Sequence, residues 1–307
     1  MGISKNYRIL VVLSFIQLST IAEDHYTGKE KVTVIGELES ANSFISYLTI
    51  NGQKYIIKQK RDTEKQVMAA IRDALAAFIA QDLKIAHSIQ IISALDTIPG
   101  KKHKGYPATL HTLAPGRMVS ELKGHKYFLL CLKQRDRSGE KITGRWLTET
   151  IVDQITWHKH LAIIIALDLF ISNTDRNRRN LFYDEKTDSF CAIDMENIYK
   201  RNLCDFACEK LDEMIKVRKK EFTREEVQAL ILVKNTLEFL LKNYPVKKII
   251  AQLDTYAKQL GYVNNKSFFN TRITKKIINI KKMIKKNYAS THKLVRMLHI
   301  ITNGSYA

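Results

Sequence analysis

From Lys31 to Lys60 the apolar and polar positions follow the short period of β-strands. Val32-Thr33-Val34-Ile35 leads into the polar stretch Glu39-Ser40-Ala41-Asn42-Ser43, and Ile45 to Ile50 reads as a second strand. Asn51-Gly52 predicts a two-residue hairpin turn, because both residues accept positive φ at low cost. Tyr55-Ile56-Ile57-Lys58 continues as the third strand. The period then changes. Val67, Ala70, Ile71, Ala74, Leu75, Phe78 and Ile79 recur at helical spacing with no Gly or Pro among them, predicting a helix from about Thr63 to Leu83.

Two strand-like pieces follow, Ile89 to Leu95 and Ala108 to Leu113, separated by the basic loop from Pro99 to Pro107. Ala114-Pro115-Gly116 breaks the chain and marks the end of a β-rich N-terminal part. A long apolar helix is predicted from about Thr148 to Ile171, ending at Ser172-Asn173. Leu181 to Ile193 reads as a β-hairpin, and Leu203 to Ile301 is mostly helical. The four prolines, at 99, 107, 115 and 245, all stand at expected element boundaries, which fits a compact fold.

Composition narrows the class. With 45% hydrophobic residues among 307, the chain can build a sizeable core and does not have the make-up of a disordered protein. Fifty Lys and Arg against 31 Asp and Glu leave a net charge of +19. That surface suits polyanions: nucleic acid, anionic lipid headgroups, ATP, inositol phosphates or an acidic protein. No nucleic-acid reader motif is present, so sequence-specific DNA recognition is not expected. Cys131, Cys191, Cys204 and Cys208 lack metal spacing and read as buried free thiols. Lys5 and Arg8 ahead of the apolar run Ile9 to Ile16, with Ser19-Thr20-Ile21-Ala22 after it, resemble a secretory signal over residues 1–22; a first buried strand or helix is the other reading.

Four polar positions suggest phosphoryl transfer, a reaction that depends on positioning and charge. Asp175 and Asn180 are five apart in a polar loop between helix and strand, a spacing that sets a carboxylate beside an acceptor hydroxyl and an amide oxygen on a metal ion. Asp194 follows Ala192-Ile193 at a strand end, where a carboxylate suits a hard cation. Lys58 closes a strand in a pattern that echoes the phosphate-gripping lysine of kinases, with Asp73 as its expected brace and Glu64 as the alternative. Read singly, Asp175 to Asn180 is an ordinary turn and Lys58 a solvent-facing lysine; their order along the chain favours the functional reading.

The segment Leu167 to Arg176, continuing through Asn180-Leu181-Phe182 and joined by Ala192-Ile193-Asp194, resembles the catalytic core of atypical kinases. These include the phosphoinositide kinases (especially type II 4-kinases), actin-fragmin kinase and HipA-like protein kinases; secreted bacterial effector kinases are a further neighbourhood. The resemblance covers about Val32 to Tyr199. It implies an α+β, bilobed protein-kinase-like fold, with an antiparallel N-lobe over 23–113 and a helical C-lobe over 114–307. It also implies ATP with Mg²⁺ or Mn²⁺ and γ-phosphoryl transfer to protein Ser/Thr hydroxyls. Asp175 would be catalytic, Asn180 and Asp194 metal ligands, Lys58 with Ser40 and Ser43 phosphate contacts, and Arg176 a support for the loop. A phosphoinositide kinase and a polyanion-binding pseudokinase are the alternatives.

Three departures stand out. The glycine-rich loop is replaced by Glu39 to Phe44, the Asp-Phe-Gly motif reads Asp194-Met195-Glu196, and no Ala-Pro-Glu motif follows. Near the C-terminus, Ile273, Ile277, Ile280 and Ile284 form an apolar stripe flanked by lysines. That pattern predicts either a helix docked on the fold or one lying on an anionic membrane, with inositol polyphosphate or phosphoinositide as partner. An exported protein acting in a host cell is the expected location.

Overall fold

The computed structural model describes residues 32–39, 43–60, 63–85, 89–92, 108–122, 159–176, 179–216, 222, 224–260 and 268–303. Five strands, β1 (Val32–Glu39), β2 (Ser43–Ile50), β3 (Gln53–Lys60), β4 (Ile89–Ile92) and β5 (Ala108–Thr112), form an antiparallel sheet in the order β1-β2-β3-β5-β4. The β2–β3 turn is the expected one: Asn51 has φ 49° and Gly52 φ 84°. That turn sets the register in which Ile45 faces Lys58 and Ser46 faces Ile57. Alternation then sorts the faces. Leu48, Ile50, Ile57, Ala108 and Leu110 form a small apolar cluster, and Lys58, next in line after Ile57, points to the opposite side.

Between β3 and β4 runs helix α1 (Thr63–Ala80), as its apolar spacing predicts. It stops after one tight turn, where Lys84 adopts φ 53°. Its buried face, including Val67, Ile71, Leu75 and Ile79, belongs to the large core shared with the helical part. A second sheet, in the order β6-β7-β8, joins β6 (Arg117–Met118), β7 (Leu181–Asp184) and β8 (Ser189–Ala192). Gly116 cannot be replaced easily at its entry. Its φ is 81°, and an added Cβ would lie 2.1 Å from the Tyr183 carbonyl oxygen.

The helical part comprises α2 (Lys159–Phe170), α3 (Leu203–Lys216), α4 (Arg224–Asn243), α5 (Val246–Gln259) and α6 (Phe268–Thr302). Helix α2 is buried from Leu161 to Phe170 except at Ile163, as a helix apolar on all sides must be. The α+β class, with small antiparallel sheets and a mostly helical C-terminal part, is as expected. The predicted helix begins at Thr148, but residues 148–158 lie outside the described set, as do 1–22, Ser40, the loop 99–107, Cys131, Trp146, Trp157, His158 and Arg178. Cys191, Cys204 and Cys208 are buried free thiols.

Helix ends leave carbonyls without helical partners. At the C-terminal end of α2 they are capped from a distance: Asn287 on α6 donates Nδ2 to the carbonyls of Leu169 (3.1 Å) and Phe170 (2.6 Å). Ser172 donates its hydroxyl to Asn287 Oδ1 at 2.8 Å and accepts the Leu203 amide at 3.1 Å. Ser172 and Asn287 are fully buried, and Ser172 takes φ 51°. The stripe Ile273, Ile277, Ile280 and Ile284 is buried in the core, so the docked reading holds for that face of α6.

Candidate active site

Strand β3 delivers Lys58 to the mouth of the second sheet. Its Nζ lies 2.5 Å from Asp194 Oδ1 and 3.2 Å from Glu196 Oε2. Asp73, nearly fully buried on α1, stands with them: one carboxylate oxygen from each of Asp73, Asp194 and Glu196 lies within 4.8 Å of the others. Burial opposes the Lys58 charge, but the carboxylates of Asp73, Asp194 and Glu196 outweigh it and hold the ammonium well above the ordinary lysine range. The expected brace, Asp73, therefore acts on Lys58 through its charge, while the close contacts come from Asp194 and Glu196. Glu64, the alternative brace, instead pairs with Lys276 on α6. Arg72, beside Asp73, has its charge disfavoured by burial and favoured by Glu196.

Asp194 occupies the left-handed region at φ 53°, where a non-glycine residue persists only if its surroundings fix it. What fixes this segment is Arg176. Its guanidinium is wholly buried and makes a bidentate pair with Asp168 of α2, Nε to Oδ2 at 2.9 Å and Nη2 to Oδ1 at 3.0 Å. Nη1 donates to the carbonyls of Asn180 (2.7 Å) and Ile193 (2.9 Å). The Ile193 amide in turn donates to the Asn180 carbonyl at 3.1 Å. One side chain thus ties the end of α2 to the backbone of Asn180 and of Ile193, the residue before Asp194.

The polar loop is pinned on its own account. Asn173 donates Nδ2 to Asp168 Oδ1 at 2.9 Å and accepts the Asp175 amide at 3.1 Å. Asn180 donates Nδ2 to the Asp175 carbonyl at 2.9 Å, which turns its Oδ1 to the other side as an acceptor. Asn197 donates Nδ2 to Asp175 Oδ2 at 2.9 Å, and its carbonyl accepts both the amide and the hydroxyl of Thr174. The structure thus brings together Lys58, Asp73 and Asp194 in one cluster, and Asp175, Arg176 and Asn180 in a network that reaches Ile193, the residue before Asp194. Ser43 contributes backbone to β2 opposite Lys60; Ser40 lies outside the described residues.

Two residues of the site carry no signal in the sequence. Asp168 lies inside the Leu167 to Arg176 segment, but its position eight residues before Arg176 has no periodicity across a helix end. Asn197, three residues after Asp194, is the partner of the Asp175 carboxylate; only the fold brings it there. His111 contacts Thr109 Oγ1 at 2.7 Å, and His160 Nδ1 accepts the Phe190 amide at 3.3 Å.

The clustered donor set of this site is oxygen, the carboxylates of Asp73, Asp194 and Glu196. That chemistry fits Mg²⁺ or Mn²⁺ and not a soft metal. No family model and no curated protein matches the sequence. Among solved structures, the Helicobacter pylori proinflammatory kinase CtkA aligns with 87% of this chain and 96% of its own, at TM-score 0.49 and 12% identity. A putative aminoglycoside phosphotransferase from Ralstonia eutropha JMP134 aligns with 88% of this chain and 94% of its own, at TM-score 0.33 and 10% identity. Aminoglycoside phosphotransferase APH(4)-Ia aligns with 87% and 94%, at TM-score 0.30 and 11% identity. These likenesses are loose, and the chemistry has to be read from the residues of this chain.

Proposed function

We propose that this protein is an ATP-dependent kinase that transfers the γ-phosphoryl group to protein Ser/Thr hydroxyls. The observation that carries the reading is the junction at Lys58. A lysine from the third strand of the first sheet meets a carboxylate just beyond the hairpin of the second, and Arg176 ties that hairpin to the Asp175–Asn180 loop. A lysine, a metal-type carboxylate and an Asp/Asn loop in this chain order are the parts that phosphoryl transfer needs.

In this reading Lys58 leaves Asp194 and Glu196 to bind the α- and β-phosphates of ATP, with Asp73 charge holding it protonated. Asn180 and Asp194 hold Mg²⁺ or Mn²⁺, which when bound supplies the positive charge that neutralises the phosphates. Asp175, oriented by Asn197, accepts the proton of the acceptor hydroxyl. That oxygen bonds to the γ-phosphorus as the bond to the β-bridging oxygen breaks, and ADP leaves with the electron pair. Ser40 and Ser43 remain the proposed phosphate contacts at the loop that replaces the glycine-rich one. Glu196 adds a carboxylate where kinases have glycine, so the site carries more negative charge than the usual motif. Export with cleavage of residues 1–22 belongs to the same proposal, and an intact Met1 on exported protein would reject cleavage after Ala22.

Radiolabelled ATP with Mg²⁺ or Mn²⁺, offered to generic proteins and separately to phosphoinositides, tests the reading against Asp194→Ala. Label on protein that the variant loses supports it. Label confined to lipid favours the phosphoinositide-kinase alternative. Equal label in wild type and variant leaves the polyanion-binding scaffold.

A further inference from the structure

Helix α6 has 35 residues, nine of them Lys or Arg and none Asp or Glu. Its core-facing side is apolar and buried, from Ile273 through Ile284 to Leu298. Lysines on its flanks are neutralised by neighbouring elements: Lys276 by Glu64, Lys281 by Asp254 at 2.7 Å and Lys286 by Asp205 at 3.7 Å. The side directly away from the core is different. At 3.6 residues per turn, Lys275, Ile278, Lys282, Lys285, Lys293, Arg296 and Ile300 fall within roughly 40° of the direction opposite Ile280. All seven except Ile278 and Ile300 are basic, and all seven are exposed. Lys275, Lys282 and Lys285 form no ion pair among the described residues.

We propose that this outward line of α6 is a docking face for an anionic lipid bilayer. Charge complementarity is the first reason, since clusters of four to eight basic residues on one helix face suit acidic headgroups, each contributing about 1 kcal/mol. Shape is the second. From Lys275 to Ile300 the line runs about 38 Å along a single helix, a rod that meets a plane along its length. The third reason separates lipid from other polyanions. Ile278 and Ile300, 46% and 40% exposed, stand in the line itself and offer apolar contact below the headgroups. A nucleic acid or soluble polyphosphate gives such side chains nothing to enter. The helix lies on the surface and does not cross it: among the described residues no helix is long and apolar enough to span a membrane. The inference is independent of the kinase reading.

Co-sedimentation of the full chain with phosphatidylcholine vesicles, with and without about 30 mol% phosphatidylserine, reads the proposal directly. Wild type should partition onto the anionic vesicles only, and less so as salt rises. Replacing Lys275, Lys282 and Lys285 together by Ala should weaken partitioning by about 100-fold, from about fivefold per lysine. Ile278→Ser with Ile300→Ser should weaken it several-fold at constant charge. These residues are exposed, so unfolding midpoints should stay at wild type; if the lysine triple does not fold, the isoleucine pair decides. Failure to bind anionic vesicles, or wild-type partitioning by the folded lysine triple or the isoleucine pair, overturns the proposal. So does complete displacement by stoichiometric inositol hexakisphosphate or RNA, which would assign the face to a soluble polyanion.

Discussion

Exchanging Asp168 for Asn tests the Arg176 clamp with the loss of a single charge. The Asp168 carboxylate accepts from Arg176 Nε, Arg176 Nη2 and Asn173 Nδ2, at 2.9, 3.0 and 2.9 Å. An amide in the same place has only one accepting oxygen, and either orientation turns its NH₂ toward an existing donor. The guanidinium would remain, fully buried and without its counter-charge. Removing one partner of such a pair costs about 3–5 kcal/mol, against a total stability of roughly 5–15 kcal/mol for a typical domain. Urea unfolding followed by far-ultraviolet circular dichroism measures this. The companion variant, Asp168→Leu with Arg176→Leu, removes both charges and should cost clearly less than the two single changes summed. In that double variant the Ile193 carbonyl loses its Arg176 donor and the Asn180 carbonyl keeps only the Ile193 amide, so phosphoryl transfer should stay depressed while stability recovers. The metal concentration for half-activity should rise more than the KM for acceptor. A cost for Asp168→Asn within about 1 kcal/mol of zero would refute the clamp, because an exposed or redundant pair gives that value.

Three further outcomes are expected. Asn197→Ala removes the bond to Asp175 Oδ2; hydrogen bonds to charged groups are worth about 1.5–3 kcal/mol, so kcat should fall about 10- to 100-fold with the ATP KM little changed, and equal kcat would assign Asn197 no part in orienting Asp175. Gly116→Ala forces a Cβ toward the Tyr183 carbonyl at φ 81° and should destabilise by on the order of 2 kcal/mol or more in the same unfolding assay; a smaller cost would mean that the strand pair yields readily. Stability should fall at alkaline pH. Burial raises the Cys204 thiol to about 12 and the Cys208 thiol to about 11. Above the ordinary thiol value the unfolded chain therefore holds fewer protons than the folded one, and stability declines from about pH 9 toward pH 12. Lys58, raised above its ordinary range, adds to the decline with the same sign. Unfolding midpoints that do not drop between about pH 8 and about pH 10.5 would contradict those shifts.

Local chemistry made much of this legible in advance. Asn51-Gly52 announces its turn because few residue pairs tolerate two positive φ values, and α1 announces itself through an uninterrupted apolar spacing. Lys58, Asp175, Asn180 and Asp194 were readable because their order and spacing, not their surroundings, distinguish them. What stayed hidden depends on distant partners. Arg176 is one charged residue in a run of polar ones until Asp168 is placed against it. Glu196 reads as a departure from a motif until Lys58 is found between it and Asp194. The stripe from Ile273 to Ile284 is amphipathic under either reading of α6, and only packing against the other helices shows which face is left outward.

The Asn287 cap ties the candidate site to the order of synthesis. The carbonyls that end α2 and the Ser172 hydroxyl meet a side chain encoded about 115 residues later, as 287 minus 172 shows. A nascent chain carrying every residue of the Asp175–Asn180 loop and Asp194 still lacks that partner. Until α6 leaves the ribosome, the Phe170 carbonyl lacks its Asn287 donor, and the Ser172 hydroxyl lacks its Asn287 acceptor. Activity would therefore begin only once α6 has emerged, and a frameshift or nonsense codon near position 280 would silence the site while leaving each of its residues in place.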